Sequence, residues 1–343
     1  MRFVCQVVLL ICGIATASIA ADAPSNNHAP AKIIFDTDVG NDVDDVLALS
    51  VLHALQSRSE CELLAVTVTR ADELAGPFVD AMNTFYGRPN IPIGCIKGPL
   101  AKEPSKFLRL ADITDGDHIR YPRQLKRSSD APASAALLRK ILSQQPDRST
   151  TMVQVGFFSN FAALLDTPGD TDSPLSGRDL VKQKVKLLSV MAGAFRTNAQ
   201  NPHPLEFNVI KDIPSAQKLA REWPTLIVWS GFEIGVAVPY PAASIERDFR
   251  YVPHHPAAEA YRLYNPPPHE RPCWDLTSAL YAVLPERGYF GLSATGKVTV
   301  ESDGFTRFIA EANGRDRYLT LTDLQIARVK EALVQLASQP PDR

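Results

Sequence analysis

The stretch IIFDTDVGNDVDDVLALSVL, Ile33–Leu52, passes from strand to helix through a turn crowded with acid. Lys32–Asp36 reads as a buried parallel strand, because Ile33, Ile34 and Phe35 form a short continuous apolar run. Val43–Gln56 then carries apolar residues at helical spacing, and Gly40 permits the sharp turn between them. Asp36, Asp38, Asp42, Asp44 and Asp45 fall within ten residues, with no Lys or Arg among them. Two carboxylates held about 4 Å apart repel by roughly 4 kcal/mol at an effective dielectric of 20, so something must relieve the crowding. Asp42 is expected to cap the helix, which puts Asp44 and Asp45 in its first turn, where the macrodipole favours anions. One cap needs one carboxylate, and five are present. A hard cation with oxygen ligands, Ca²⁺ or Mg²⁺, is the better relief.

Outward from this turn, short β-rich runs alternate with helical patterns. Strands are expected at Lys32–Asp36, Leu63–Thr69, Ile91–Cys95, Thr151–Val155, Val185–Met191 and Thr225–Trp229. Helices are expected near Val43–Gln56, Gly76–Tyr86, Ala133–Leu142, Asn160–Leu165 and Ile213–Glu222. That alternation predicts an α/β fold, Rossmann-like, with a mostly parallel central sheet flanked by helices and ligands bound at the carboxyl ends of its strands. Beyond Gly231 the rhythm changes to a helix, a Pro-rich loop (Asn265–Pro272) and a second helix from Asp275. An exposed hairpin over Lys297–Ile309, turning at Asp303-Gly304, and a last amphipathic helix at Leu321–Leu336 complete a helical and hairpin extension.

The 343 residues, 45% of them hydrophobic, suit one large domain over 32–343, and no internal cut is evident. A net charge of −2, with acids and bases mixed, offers no electrostatic footprint for nucleic acid or an anionic membrane. Arg2, an apolar run from Val4 to Ile14 and the small residues up to Ala21 describe a signal peptide over 1–21, followed by a flexible leader over 22–31. The run is short and diluted for a retained anchor, so the mature chain is expected to be exported, periplasmic or secreted, with no membrane segment. Cleavage removes Cys5 and Cys12. The remaining Cys61, Cys95 and Cys273 form neither a disulfide framework nor a zinc spacing.

Two acidic motifs compete for the turn. An EF-hand starting at Asp36 requires glycine sixth and glutamate twelfth, where Asn41 and Leu47 stand. A strand-end D-x-D also opens the aspartyl-phosphate phosphatases, with Asp36 as nucleophile, but their following G-T is replaced by Val39-Gly40.

The turn resembles the signature D-x-D-P-G-x-D-D of the inosine–uridine-preferring nucleoside hydrolase family. Val39 stands for the proline, and Asn41-Asp42-Val43 for a single residue. Three ordered segments extend the resemblance: VQVGFFSNFAALL at Val153–Leu165, MAGAF with PLEFNVIKDIPSA, and CWDLTSALYAV, where Trp274 replaces a histidine. The resemblance implies one Ca²⁺ per subunit held by Asp38, Asp45, Asp275 and the backbone carbonyl of Val155. It makes Asp38 the general base toward water and gives the ribose hydroxyls to Asp44, Glu206 and Asn208. Asp36 would brace the loop from behind, and Asp72 and Asn198 would be further sugar contacts, Asn201 being an alternative to Asn198.

The expected reaction is hydrolysis of the N-glycosidic bond of a ribonucleoside or related riboside. Carboxylates suit it because the sugar passes through an oxocarbenium-like state. Trp274 cannot donate an acidic proton, so it is read as a stacking platform for the base, or as an ordinary core aromatic. His203 and His269 are the candidate replacement acids. The partner is a small-molecule nucleoside or riboside, with a homo-oligomer left open. The alternative from another class is a metal-containing nucleoside- or sugar-binding protein without turnover.

Overall fold

The computed structural model describes residues 29–99, 101, 103–197 and 199–342. The expected signal peptide and Asn198 lie outside these residues. Ten strands form the main sheet: β1 (Ala31–Thr37), β2 (Cys61–Val68), β3 (Ile93–Cys95), β4 (Thr150–Gln154), β5 (Val185–Met191), β6 (Leu226–Ser230), β7 (Gly291–Leu292), β8 (Gly296–Val300), β9 (Thr306–Ala310) and β10 (Asp316–Thr320). Their order is β9-β8-β10-β6-β5-β4-β1-β2-β3, with β7 on the side of β10. The pairs from β3 across to β10 are parallel, and those of β7, β8 and β9 are antiparallel.

Twelve helices of the described residues follow the strands: α1 (Asp44–Ser57), α2 (Ala75–Phe85), α3 (Ser134–Ser143), α4 (Ser159–Leu165), α5 (Gly177–Lys184), α6 (Phe207–Lys211), α7 (Ile213–Glu222), α8 (Phe232–Ala237), α9 (Ala242–Arg247), α10 (Pro256–Tyr264), α11 (Trp274–Val283) and α12 (Asp323–Ala337). None is long and apolar enough to cross a membrane.

Successive side chains of a strand point to opposite faces, and β1 shows what that does here. Ile33 and Phe35 enter one core with α1, α2, α10, α11 and α12, while Ile34 enters the other with α3, α4, α5 and α7. Both faces of the sheet are covered, which is why its strands read as apolar runs. Helix α1 is buried almost all round, wedged between the sheet, α11 and α12. Burying each of Leu47, Leu49, Leu52 and Leu55 contributes roughly 1.5–3 kcal/mol, and the same burial carries Asp44 and Asp45 out of solvent.

Two expectations need correction. The hairpin over Lys297–Ile309 is not an exposed appendage. It forms β8 and β9, the outer strands of the main sheet, with Val298, Val300 and Thr306 buried. The strand that attaches it, β10, was missed because DRYLT lacks an apolar run; it pairs in parallel with β6. Asp42 does not cap α1 either. The N-cap position is Val43, without a side-chain cap, and Asp42 is drawn away by Arg271.

β1 and β4 approach closely where they end. A Cβ on Gly156 would collide with the amide nitrogen of Asp38 and lie 2.5 Å from Thr69 Oγ1 and 2.7 Å from the Thr37 carbonyl carbon. Because the obstacles are largely backbone, Gly156→Ala should cost about 1–3 kcal/mol, seen as a lower urea midpoint; an unchanged midpoint would contradict the close approach.

Candidate active site

A cavity of about 400 Å³ opens at the carboxyl ends of β1, β4 and β5. It is lined by Asp38, Asp42, Asp44, Asp45, Glu206 and Asp275, with Arg271 as the one cation among its described lining residues. Asn41, Val155, Asn208 and Trp274 also face it. A hollow of about 420 Å³ beside Glu62 and Arg88 contains no such cluster.

The acidic residues reach the cavity from three helix starts, one strand end and the turn between β1 and α1. Asp44 and Asp45 occupy the first turn of α1, and Asp275 the first turn of α11. The three each offer a carboxylate oxygen, and these lie within 4.8 Å of one another. The Asp275 backbone N–H donates to Asp44 Oδ2 at 3.1 Å, tying α11 to α1. Thr37 Oγ1 donates to Asp45 Oδ1, while Asp45 Oδ2 is buried with no hydrogen-bond partner among the described residues.

Asp38 interacts directly with Asp45. It also accepts from Asn41 Nδ2 at 2.6 Å, and Arg70 in turn donates to Asn41 Oδ1. The carboxylate group within 4.8 Å contains Asp44 where the resemblance implies Asp38.

Glu206 is no surface charge. It is buried and caps α6, accepting from Asn208 N at 2.9 Å, Val209 N at 3.1 Å and Gly193 N at 3.2 Å. Asn208 Nδ2 donates to the Val155 carbonyl at 2.8 Å and to the Met191 carbonyl at 3.2 Å. Both amide hydrogens are thus occupied, leaving the acceptor oxygen for a ligand hydroxyl. Trp274 stacks on Phe232 with centroids 5.5 Å apart, and its Nε1 donates to the Phe232 carbonyl.

Asp36 sits behind the cavity. It accepts from Thr67 Oγ1 at 2.5 Å and from Asn160 Nδ2 at 2.8 Å. Asn160 therefore braces this aspartate. Asp72 does not reach the cavity: its carboxylate accepts from Leu74 N at 2.9 Å and pairs with Arg70 Nε at 3.7 Å. His203 pairs with Asp303 and His269 lies outside the lining, so neither is placed as an acid here.

Burial dominates the electrostatics. It pushes Asp36 up to about 8, Glu206 up to about 7 and Asp38 up to about 6. Asp44, Asp45 and Asp275 are all held well above the usual carboxylate range, first by burial and then by one another and neighbouring aspartates. Oxygen donors alone, a buried orphan oxygen and mutual repulsion together fit a hard divalent cation.

The family profile described as inosine-uridine preferring nucleoside hydrolase matches residues 33–327. The chain belongs to this family, whose members are hydrolases acting on N-glycosyl compounds. Among solved structures, the fold is similar to a plant nucleoside hydrolase, PpNRh1, at TM-score 0.67 and 22% identity, covering 91% of this chain and 100% of that one. An inosine-uridine preferring nucleoside hydrolase from Bacillus anthracis aligns at TM-score 0.66 and 19% identity, covering 90% and 99%. The type III effector protein XopQ, in complex with adenosine diphosphate ribose, aligns at TM-score 0.64 and 16% identity, covering 91% and 95%. A search of curated proteins finds no match.

Raised pKa values set the sign of a pH effect. A carboxyl whose folded pKa exceeds its unfolded value near 4 stabilises the fold at low pH, and loses that contribution as pH rises through the folded pKa. With Asp38, Glu206 and Asp36 at about 6, 7 and 8, the window lies across neutrality. In chelator, thermal stability should fall between about pH 5 and pH 8, and added Ca²⁺ should restore it most at the upper end. Stability that stays flat or rises in chelator would contradict this.

Proposed function

We propose that the protein is a Ca²⁺-dependent ribonucleoside hydrolase that releases base and ribose. The observation that carries this reading is the meeting of Asp275 with Asp44 and Asp45 at the edge of a cavity of about 400 Å³, although some 230 residues separate them in the chain. Asp45, Asp275, Asp38 and the Val155 carbonyl would hold the ion, with Asp44 adjoining. The carbonyl already accepts from Asn208 and has a second lone pair to offer. A divalent ion bound there supplies positive charge that lowers the pKa of water and offsets the carboxylate repulsion.

The chain's own groups account for the rest. Asp38 takes the proton from the attacking water, its carboxylate aimed by the Asn41 amide. Attack opposite the departing base inverts the anomeric carbon. Asp44, Glu206 and the acceptor oxygen of Asn208 would accept hydrogen bonds from the ribose hydroxyls, and a deoxy sugar would leave the buried Asn208 oxygen without that partner. The surrounding carboxylates stabilise the oxocarbenium-like sugar. Trp274 and Phe232 supply an apolar face for the base. An exported protein would do this outside the cytoplasm, on nucleosides reaching that compartment.

The ADP-ribose complex of the similarly folded XopQ supports a second reading, in which a ribose-containing ligand is bound without turnover. One assay separates the two. Purified protein with Ca²⁺ should release ribose from inosine or uridine. Chelator should abolish the release, and Asp38→Asn should lower kcat by about 10²–10⁴-fold. Tight binding with no ribose release across a nucleoside panel would favour the binder.

A further inference from the structure

One wall of the cavity is aromatic and carries a guanidinium whose geometry is fixed on three sides. Arg271 Nε donates to Asp42 Oδ1 at 2.9 Å, and Nη2 donates to Asp42 Oδ2. The guanidinium carbon lies 4.9 Å from the Trp274 ring centre and 5.1 Å from that of Tyr264. Its remaining nitrogen, Nη1, makes no hydrogen bond among the described residues, and the residue lines the cavity. Asp42 belongs to the stretch that lengthens the acidic turn, and it meets Arg271 across 229 residues of sequence.

Such a fork has a use in the reaction above. When the C1′–N bond breaks, its electron pair stays on the base, which departs as an anion unless it is protonated or stabilised. No His, Cys or Lys lines the cavity among the described residues. The Tyr264 hydroxyl is pushed up to about 12 by burial and by Asp42, which makes it a weak proton donor. Arg271 alone among the described lining residues supplies a fixed positive charge, and a guanidinium held by Asp42 against two rings needs no reorganisation to act.

We propose that Arg271, oriented by Asp42, stabilises the negative charge on the departing base through its free Nη1 edge, so that the site takes ribosides whose leaving group presents a carbonyl oxygen or ring nitrogen to accept that hydrogen bond. The inference rests on the hydrolase reading. Water forms the new C1′–O bond, Asp38 receives its proton, and the released base anion is protonated from solvent. No oxidant or further reactant is required.

The test compares leaving groups. Inosine and uridine depart as poor anions, whereas 4-nitrophenyl riboside releases a stable anion without assistance. With Ca²⁺ present, Arg271→Met should lower kcat/KM for inosine and uridine by about 10²–10³-fold, and by a factor roughly tenfold smaller for 4-nitrophenyl riboside. Asp42→Asn, which loosens the fork but keeps the guanidinium, should show the same selectivity with a smaller loss. Should Arg271→Met fail to fold, Arg271→Lys, which keeps the charge but not the fork, reads the same ratio. Equal losses on all three substrates, or no loss on any, would overturn the proposal. In either case, wild-type cleavage of inosine or uridine leaves the hydrolase reading intact. Silence on all three substrates overturns both.

Discussion

Buried carboxylates that repel one another are the constraint on which this site depends. Asp38, Asp44, Asp45 and Asp275 are driven together because the elements bearing them pack for apolar reasons: β1 between two cores, and α1 against α11. The hydrophobic gain along α1 is large enough to hold the acids in place, at roughly 1.5–3 kcal/mol per leucine against a few kcal/mol of repulsion per pair. Strain of this kind, concentrated at one strand-end pocket, is what a divalent ion relieves. The same convergence that raises the carboxyl pKa values makes the cavity chemically suited to a cation.

The site also manages charge from its rim. Six carboxyl groups line the cavity against one guanidinium among the described residues. The lengthened turn contributes to that management in two directions. Asn41 lies between Arg70 and Asp38, while Asp42 is clasped by Arg271. Residues that would otherwise add disorder to a Gly-containing turn are pinned at both ends. The turn thus links the Asp38 end of the cavity to its aromatic wall.

Most of the fold was legible because its strands are short apolar runs and its helices are periodic. Val185–Met191 and Ile213–Glu222 fall where the pattern puts them. The sheet's outer edge was not, since DRYLT hides a parallel pairing with β6 behind charged and polar residues. At the site, Asp38, Asp44, Asp45 and Asp275 were readable through motif and resemblance, and all four line one cavity. Partners that act through tertiary contact were not readable. Arg271 announces nothing until Asp42 lies beside it, and neither does Asn160 until its amide meets Asp36. Asp72 failed in the opposite direction, because a neighbouring arginine, Arg70, claims it before the sugar pocket can.

Calorimetric titration of the apo protein with Ca²⁺, in buffers of differing ionisation enthalpy, probes the shared ion most directly. One site per chain is predicted, with protons released on binding and affinity weakened at least roughly 100-fold by Asp275→Asn. No saturable binding, or an affinity indifferent to Asp275→Asn, would mean that these carboxylates do not meet on a common cation.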